Sequence, residues 1–182
     1  MAQFFNENQL PLTSKAFADA EKIVSGYFRV RESEFKQSRY DVKTLAYLDE
    51  HEIKDGAFAH LCKYSYQQPQ GGAQRSEEVF NFYRVCLQDN NILDAVQRAN
   101  PFIKLSPLML YIAVHELIHV LRFAKAEVDF HAAPEEKEKE EAIVHNLTKS
   151  ALQAARHKDM NLVLDCFSNN FKIFDTYSCG GF

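Results

Sequence analysis

Apolar residues recur at helical spacing from the start of the chain. Ala16, Ala20, Ile23, Val24, Tyr27 and Phe28 form the i, i+4, i+7, i+8 stripe of an amphipathic helix over residues 14–28, with Thr13 or Ser14 placed to cap it. A second short helix is predicted over 42–50, capped by Asp41. The run AFAHLCKYSY at 57–66 suits a strand. QQPQGGAQRS at 67–76 has the Pro, Gly and polar residues of a surface loop. Residues 77–88 read two ways: Tyr83, Val85 and Leu87 alternate as in a strand, whereas Val79, Phe82, Tyr83 and Cys86 suit a helix. Residues 92–99 look helical.

The clearest signals come later. Ser106-Pro107 reads as an N-cap followed by proline at the first helical position, and the run that follows, 108–123, is apolar nearly all round. Such a helix belongs in the middle of a fold. After a loop at 129–134, a helix with glutamates at its start runs over 135–156, where acidic residues suit the positive end of the helix dipole. A last helix begins near Asp159 and carries Leu162, Val163, Cys166 and Phe167; the tail YSCGGF, 177–182, reads as frayed. No repeat and no linker interrupts residues 1–182, which read as a single domain.

Composition narrows the picture. With 182 residues, 46% of them hydrophobic and 25% charged, the chain can bury a core. A net charge of −4 without a basic stripe argues against nucleic acid as a partner. Nor is there a Lys/Arg cluster for an anionic membrane surface. The first fifteen residues lack the charged end and apolar stretch of a secretory signal. Cys62, Cys86, Cys166 and Cys179 are widely spaced, without a C-x-x-C pair. They read as free thiols of a cytoplasmic protein rather than disulfides or a zinc ribbon. Residues 105–124 are long enough to span a membrane, but no second apolar segment exists to shelter their polar residues, so an intramembrane enzyme is not expected.

Candidate chemistry is concentrated at residues 115–119, His-Glu-Leu-Ile-His. On a helix, positions i and i+4 share a face, so His115 and His119 can offer two imidazole nitrogens to one tetrahedral ion. Glu116 lies about 100° round the helix. It can take a proton from a water activated by the ion rather than bind the ion itself. A chain with this many His and Glu residues carries the pattern by chance roughly 2 times in 100. Here, though, the three polar residues interrupt an apolar helix, and burying them without partners would cost several kcal/mol. A metal satisfies them directly; a buried His–Glu hydrogen-bond cluster is the plainer alternative.

A third ligand is sought in the next helix, among His131, Glu138, Glu140, Glu141 and His145. At this point the sequence resembles the gluzincin metallopeptidases, in particular the small, minimal ones. In those, H-E-x-x-H is followed by a helix with E-x-x-x-D, whose Glu completes a zinc site and whose Asp steadies a histidine. Here the text is Glu141-Ala-Ile-Val-His145, with His where Asp is usual. His145 is left as orienting partner, transition-state donor or alternative ligand.

The resemblance covers residues 106–156. It implies a mostly helical, zincin-like α+β fold with a small sheet, a buried H-E-x-x-H helix at about 107–126 and a following glutamate helix at 135–156. Its edge strand would hold an extended substrate above the metal helix, and the alternation at 83–87 is a candidate for that strand.

Two arguments bear on the choice of glutamate. The helical wheel puts Glu140 at the centre of the apolar stripe of Val144, Leu147, Ala151 and Ala154, and Glu141 on its flank with His145 and Leu152. A ligand must also point at the histidines and be fixed by a neighbour, which favours Glu141 with His145 one turn on. Glu141 is chosen. The pattern H-E-x-x-H-x-x-G-x-x-H fails, because Arg122 and Lys125 stand where Gly and His are needed. Arg122 could orient a carboxylate of the 135–141 run or form an ordinary buried ion pair. His51, His60 and His157 have no recruiting spacing, and Cys179 could reach the metal only from the tail.

The function expected is therefore zinc-dependent hydrolysis of peptide or protein, with His115, His119 and Glu141 as ligands, Glu116 as base and His145 in a supporting catalytic role. The alternative is a catalytically silent zinc-binding or regulatory module of the same fold. A carboxylate-bridged di-iron protein fits less well: Glu116-Leu-Ile-His119 supplies one Glu-x-x-His element but the chain lacks its twin.

Overall fold

A computed structural model describes residues 3–37, 40–67, 79–100, 102–157 and 159–167. The order of elements is α1 (Leu10–Phe28), α2 (Glu32–Gln37), β1 (Tyr40–Lys43), two 3₁₀ turns at Leu45–Tyr47 and Glu50–Glu52, β2 (Ala59–Gln67), β3 (Val79–Leu87), α3 (Asp89–Arg98), α4 (Leu105–Ala124), α5 (Pro134–Ala155) and α6 (Met160–Phe167). The fold is α+β, mostly helical with a three-stranded sheet. The expected loop at 67–76, from residue 68 onward, and the tail 177–182 with Cys179 lie outside the described residues.

Helix α1 starts four residues before the predicted start at residue 14. Gln9, not Thr13 or Ser14, is the N-cap. The side chain of Asn6 accepts the backbone N–H groups of Asn8 and Gln9, so the chain turns into the helix there and Thr13 is buried inside it. Similarly, α4 begins at Leu105, capped by Lys104, so Ser106 and Pro107 occupy the first turn rather than the boundary. Helix α5 opens on Pro134, followed by Glu135 and Glu136 in its first turn, as the dipole favours.

Residues 42–50 are not a helix. Residues 40–43 are strand β1, which pairs parallel with β3 (Tyr40 with Tyr83, Lys43 with Cys86), and two 3₁₀ turns follow. Tertiary pairing overrides the weak local helical preference. Within the ambiguous stretch 77–88, Val79–Leu87 form strand β3, which lies in the middle of the order β1-β3-β2, paired antiparallel with β2 on its other side. Its backbone groups are committed on both sides, so it cannot be the edge strand that residues 83–87 were expected to supply. The edges of this sheet are β1 and β2.

One face of the sheet, with Ala59, Leu61, Tyr83, Val85 and Leu87, joins the hydrophobic core around α4. Every residue of α4 from Pro107 to Leu121 is buried, packed by α1, α5, α6 and β2. By length and apolarity α4 could cross a membrane, but 89% of that window is covered by this fold. Burying each Leu, Ile or Val there stabilises by about 1.5–3 kcal/mol relative to exposure. The helix is thus held rigidly, which fixes the side chains it presents at its polar interruption.

The opposite face of the sheet is polar. Arg84 bridges Asp41 and Glu52 at 3.0 Å each. The Glu52 carboxylate also accepts the Tyr64 hydroxyl and the Asp49 amide. Gln88 donates to the Glu52 carbonyl at 3.0 Å. These bonds pin the turn at Glu50–Glu52 over the sheet. Buried Asp89, at the head of α3, accepts the amides of Phe5 and Leu45 at 3.0 Å each, tying the N-terminal segment to the end of β1. Burial pushes its carboxyl up, and those amides oppose the shift.

Candidate metal centre

The buried middle of α4 faces α5, and their polar residues meet. Nε2 of His115 lies 3.2 Å from Nε2 of His119. Glu141 from α5 places Oε2 3.3 Å from His115 Nε2 and Oε1 3.2 Å from His119 Nε2. Two nitrogen or oxygen donors bound about 2.0–2.2 Å from one tetrahedral ion stand about 3.3–3.5 Å apart. The triangle therefore has the spacing and the nitrogen and oxygen donors that could hold one small metal ion. Both histidines are 1% exposed and Glu141 is 7% exposed.

Electrostatics separates the two glutamates beside the triangle. Burial alone would raise the Glu141 carboxyl, but the charge of His119 and hydrogen bonds from both histidines outweigh it and hold it at about 2. Glu116 is pushed up to about 7, chiefly by burial. His115 and Lys54 pull it down and Glu141 pushes it up. The two buried carboxyls are thus pushed in opposite directions, Glu141 towards its charged form by the imidazoles and Glu116 towards its neutral form by burial.

Glu140 is buried as well, at 3% exposure, yet it points elsewhere. Arg122 Nε donates to its Oε1 at 2.6 Å and Nη2 to its Oε2 at 2.9 Å, a bidentate pair, while Nη1 reaches Glu127 at 2.7 Å. The nearest approach of Glu140 to His119 is 3.9 Å, at Nδ1. Arg122, half-buried, therefore orients the buried Glu140 carboxylate beside the triangle. Glu138 and His131 are exposed. The His131 amide donates to Asp129, and its imidazole is not part of the cluster.

His145 is buried one turn beyond Glu141, outside the triangle. Its Nδ1 pairs with the Tyr111 hydroxyl at 2.9 Å. Tyr111 lies one turn before His115 on α4 and its ring stacks towards that imidazole, with centroids 6.4 Å apart at 23°. On the other flank Phe123 stacks on His119 at 5.9 Å and 14°. Tyr111 was not singled out from sequence. Its signal was present: 111, 115 and 119 fall on one face at i, i+4, i+8. Compared with protein-family models, with curated proteins and with solved structures, the chain matches none of them.

Proposed function

We propose that this protein is a zinc-dependent peptidase of zincin-like architecture. Its ligands would be His115, His119 and Glu141, with Glu116 as general base and peptide or protein as substrate. The observation that carries the reading is the position of Glu116: buried beside the donor triangle, at 4% exposure, but not one of its corners. A site that only held an ion would not need a second carboxylate there.

Zinc, when bound, supplies Lewis acidity, bringing the pKa of a water towards about 7 and polarising a carbonyl. The protein's own groups do the rest. Glu116 accepts the proton of the attacking water and can pass it to the leaving amine, a role suited to a carboxyl poised near neutral pH. The Tyr111–His145 pair fixes the imidazole of His145, so that it can meet negative charge developing on the substrate. Phe123 and Tyr111 wall the imidazoles on both flanks and limit solvent there. Comparing a peptide-library digest by the wild type and by Glu116→Gln tests the reading, since zinc should stay while cleavage falls.

One observation favours a second reading, a silent zinc-binding module. His115, His119 and Glu116 are closed off from solvent. A cavity of about 480 Å³ is lined by Phe58, Ala95 and Ile103 and one of about 380 Å³ by Tyr83, Phe123 and Phe130; neither is lined by any of the donors or by Glu116. Turnover requires the site to open to a substrate; holding an ion does not. Zinc-loaded protein that cleaves nothing in the library decides for the module.

A further inference from the structure

Three donors meet on the polar face of the sheet, on the side away from α4. His60 and Cys62 are two residues apart on β2 and so share a face. The antiparallel register sets Cys86 of β3 opposite His60. The Cys86 thiol donates to Cys62 Sγ at 3.7 Å, and Cys62 Sγ lies 3.5 Å from His60 Nε2. One ligand atom from each of the three lies within 4.8 Å of the others. His60 is 3% exposed and both cysteines are fully buried.

The spacing is informative. Two thiolates about 2.3 Å from one tetrahedral ion stand about 3.8 Å apart, and a thiolate and an imidazole nitrogen about 3.6 Å apart. The distances here are 3.7 and 3.5 Å. The donors are held by ladder pairing between β2 and β3 and roofed by the turn at Glu50–Glu52, which is tied down through Arg84 and Gln88. They are therefore preorganised without any ion.

We propose that His60, Cys62 and Cys86 form a second metal site, independent of the helical triangle, that takes one thiophilic divalent cation of the zinc class in a structural role. Binding releases the two thiol protons to solvent and forms two metal–thiolate bonds and one metal–imidazole bond, with no change of oxidation state. The fourth tetrahedral position is left for a small ligand such as water. The site cross-links β2 and β3 behind the face that supports α4.

Cobalt(II) titrated into reduced, metal-free, full-length protein is the test, because the triangle of His115, His119 and Glu141 has no sulfur. Thiolate-to-cobalt charge transfer in the near-ultraviolet therefore reads the second site alone, even with both sites filled. The expected result is a band whose final amplitude corresponds to about one thiolate-bound cobalt per chain and which is displaced by zinc. It should survive in Cys166→Ser/Cys179→Ser and vanish in Cys62→Ser/Cys86→Ser, while that last variant still takes up cobalt without the band. Circular dichroism matching the wild type shows that this variant has folded; if it does not fold, protection of Cys62 and Cys86 from alkylation by zinc in the wild type, read by peptide mass, serves in its place. No charge-transfer band with folded wild type, or a Cys62–Cys86 disulfide in the isolated protein, overturns the proposal. Uptake of copper(I) alone overturns the zinc-class assignment.

Discussion

Arg122 grips Glu140 through two nitrogens, at 2.6 and 2.9 Å, inside the α4–α5 interface. The pair is built from the residue one turn past His119 and the residue just before Glu141. It draws the Glu140 carboxylate away from the imidazoles and leaves Glu141 as the one carboxylate facing both Nε2 atoms. Because Glu140 is almost fully buried, removing its partner leaves an uncompensated charge. Arg122→Ala should therefore lower stability by about 3–5 kcal/mol, whereas Arg122→Met/Glu140→Leu should cost much less than that. Urea unfolding of metal-free protein measures both, and equal losses in the two variants would remove the clamp from the account.

Metal retention should rank the glutamates in the same order. Glu141→Ala is expected to lose zinc in a competitive chelator titration about as badly as His119→Ala. Glu140→Ala should lose less, since it only frees Arg122. The reverse ranking would make Glu140 the ligand and the clamp an artefact of the metal-free state.

Stripping the metal should destabilise the protein, because the donors are contributed by two helices and an ion joins them. Free zinc at about 100 times its dissociation constant should raise stability by about 2.7 kcal/mol, seen as a higher melting temperature than in chelator. The shift should persist in Cys62→Ser/Cys86→Ser and be lost in His115→Ala/His119→Ala if the helical site is the main contributor. A melting curve blind to zinc in the wild type would count against both sites.

Glu116→Gln keeps the shape of the side chain and removes its ability to take a proton. Zinc content should stay near the wild-type value while peptide hydrolysis falls by about 10² or more. Equal cleavage by wild type and variant would assign the activity to a contaminant.

The Tyr111–His145 pair separates a positioning role from a ligand role. His145→Ala should leave zinc affinity within a few-fold and reduce kcat rather than raise KM. Tyr111→Phe should have a milder effect on kcat and cost about 1–3 kcal/mol, the penalty for depriving a buried imidazole of a partner. Loss of zinc from His145→Ala as severe as from His119→Ala would instead make His145 a ligand.

The elements legible in the sequence are those whose signal is local. The apolar run of α4, the His115–Glu116–His119 spacing and the acidic start of α5 depend only on residues within a turn or two of each other, so helical periodicity reveals them. Even there the boundaries moved: the Asn6 side chain turns the chain into α1, and α4 begins at Leu105, one residue before Ser106.

What only the tertiary structure decided lies between residues distant along the chain. Residues 40–43 became a strand because β3 offers a parallel partner, and β3 became central because β1 and β2 take its two edges. Glu141 faces both imidazoles and Glu140 does not, for a reason other than the one drawn from sequence. His145 turns to Tyr111, and it is Arg122 that removes Glu140. His60, Cys62 and Cys86 carry no motif at all, since Cys86 joins the other two only through the strand register. Local periodicity states which face a residue occupies on its own element. Which faces meet depends on packing and pairing across the chain, and both donor clusters were decided at that level.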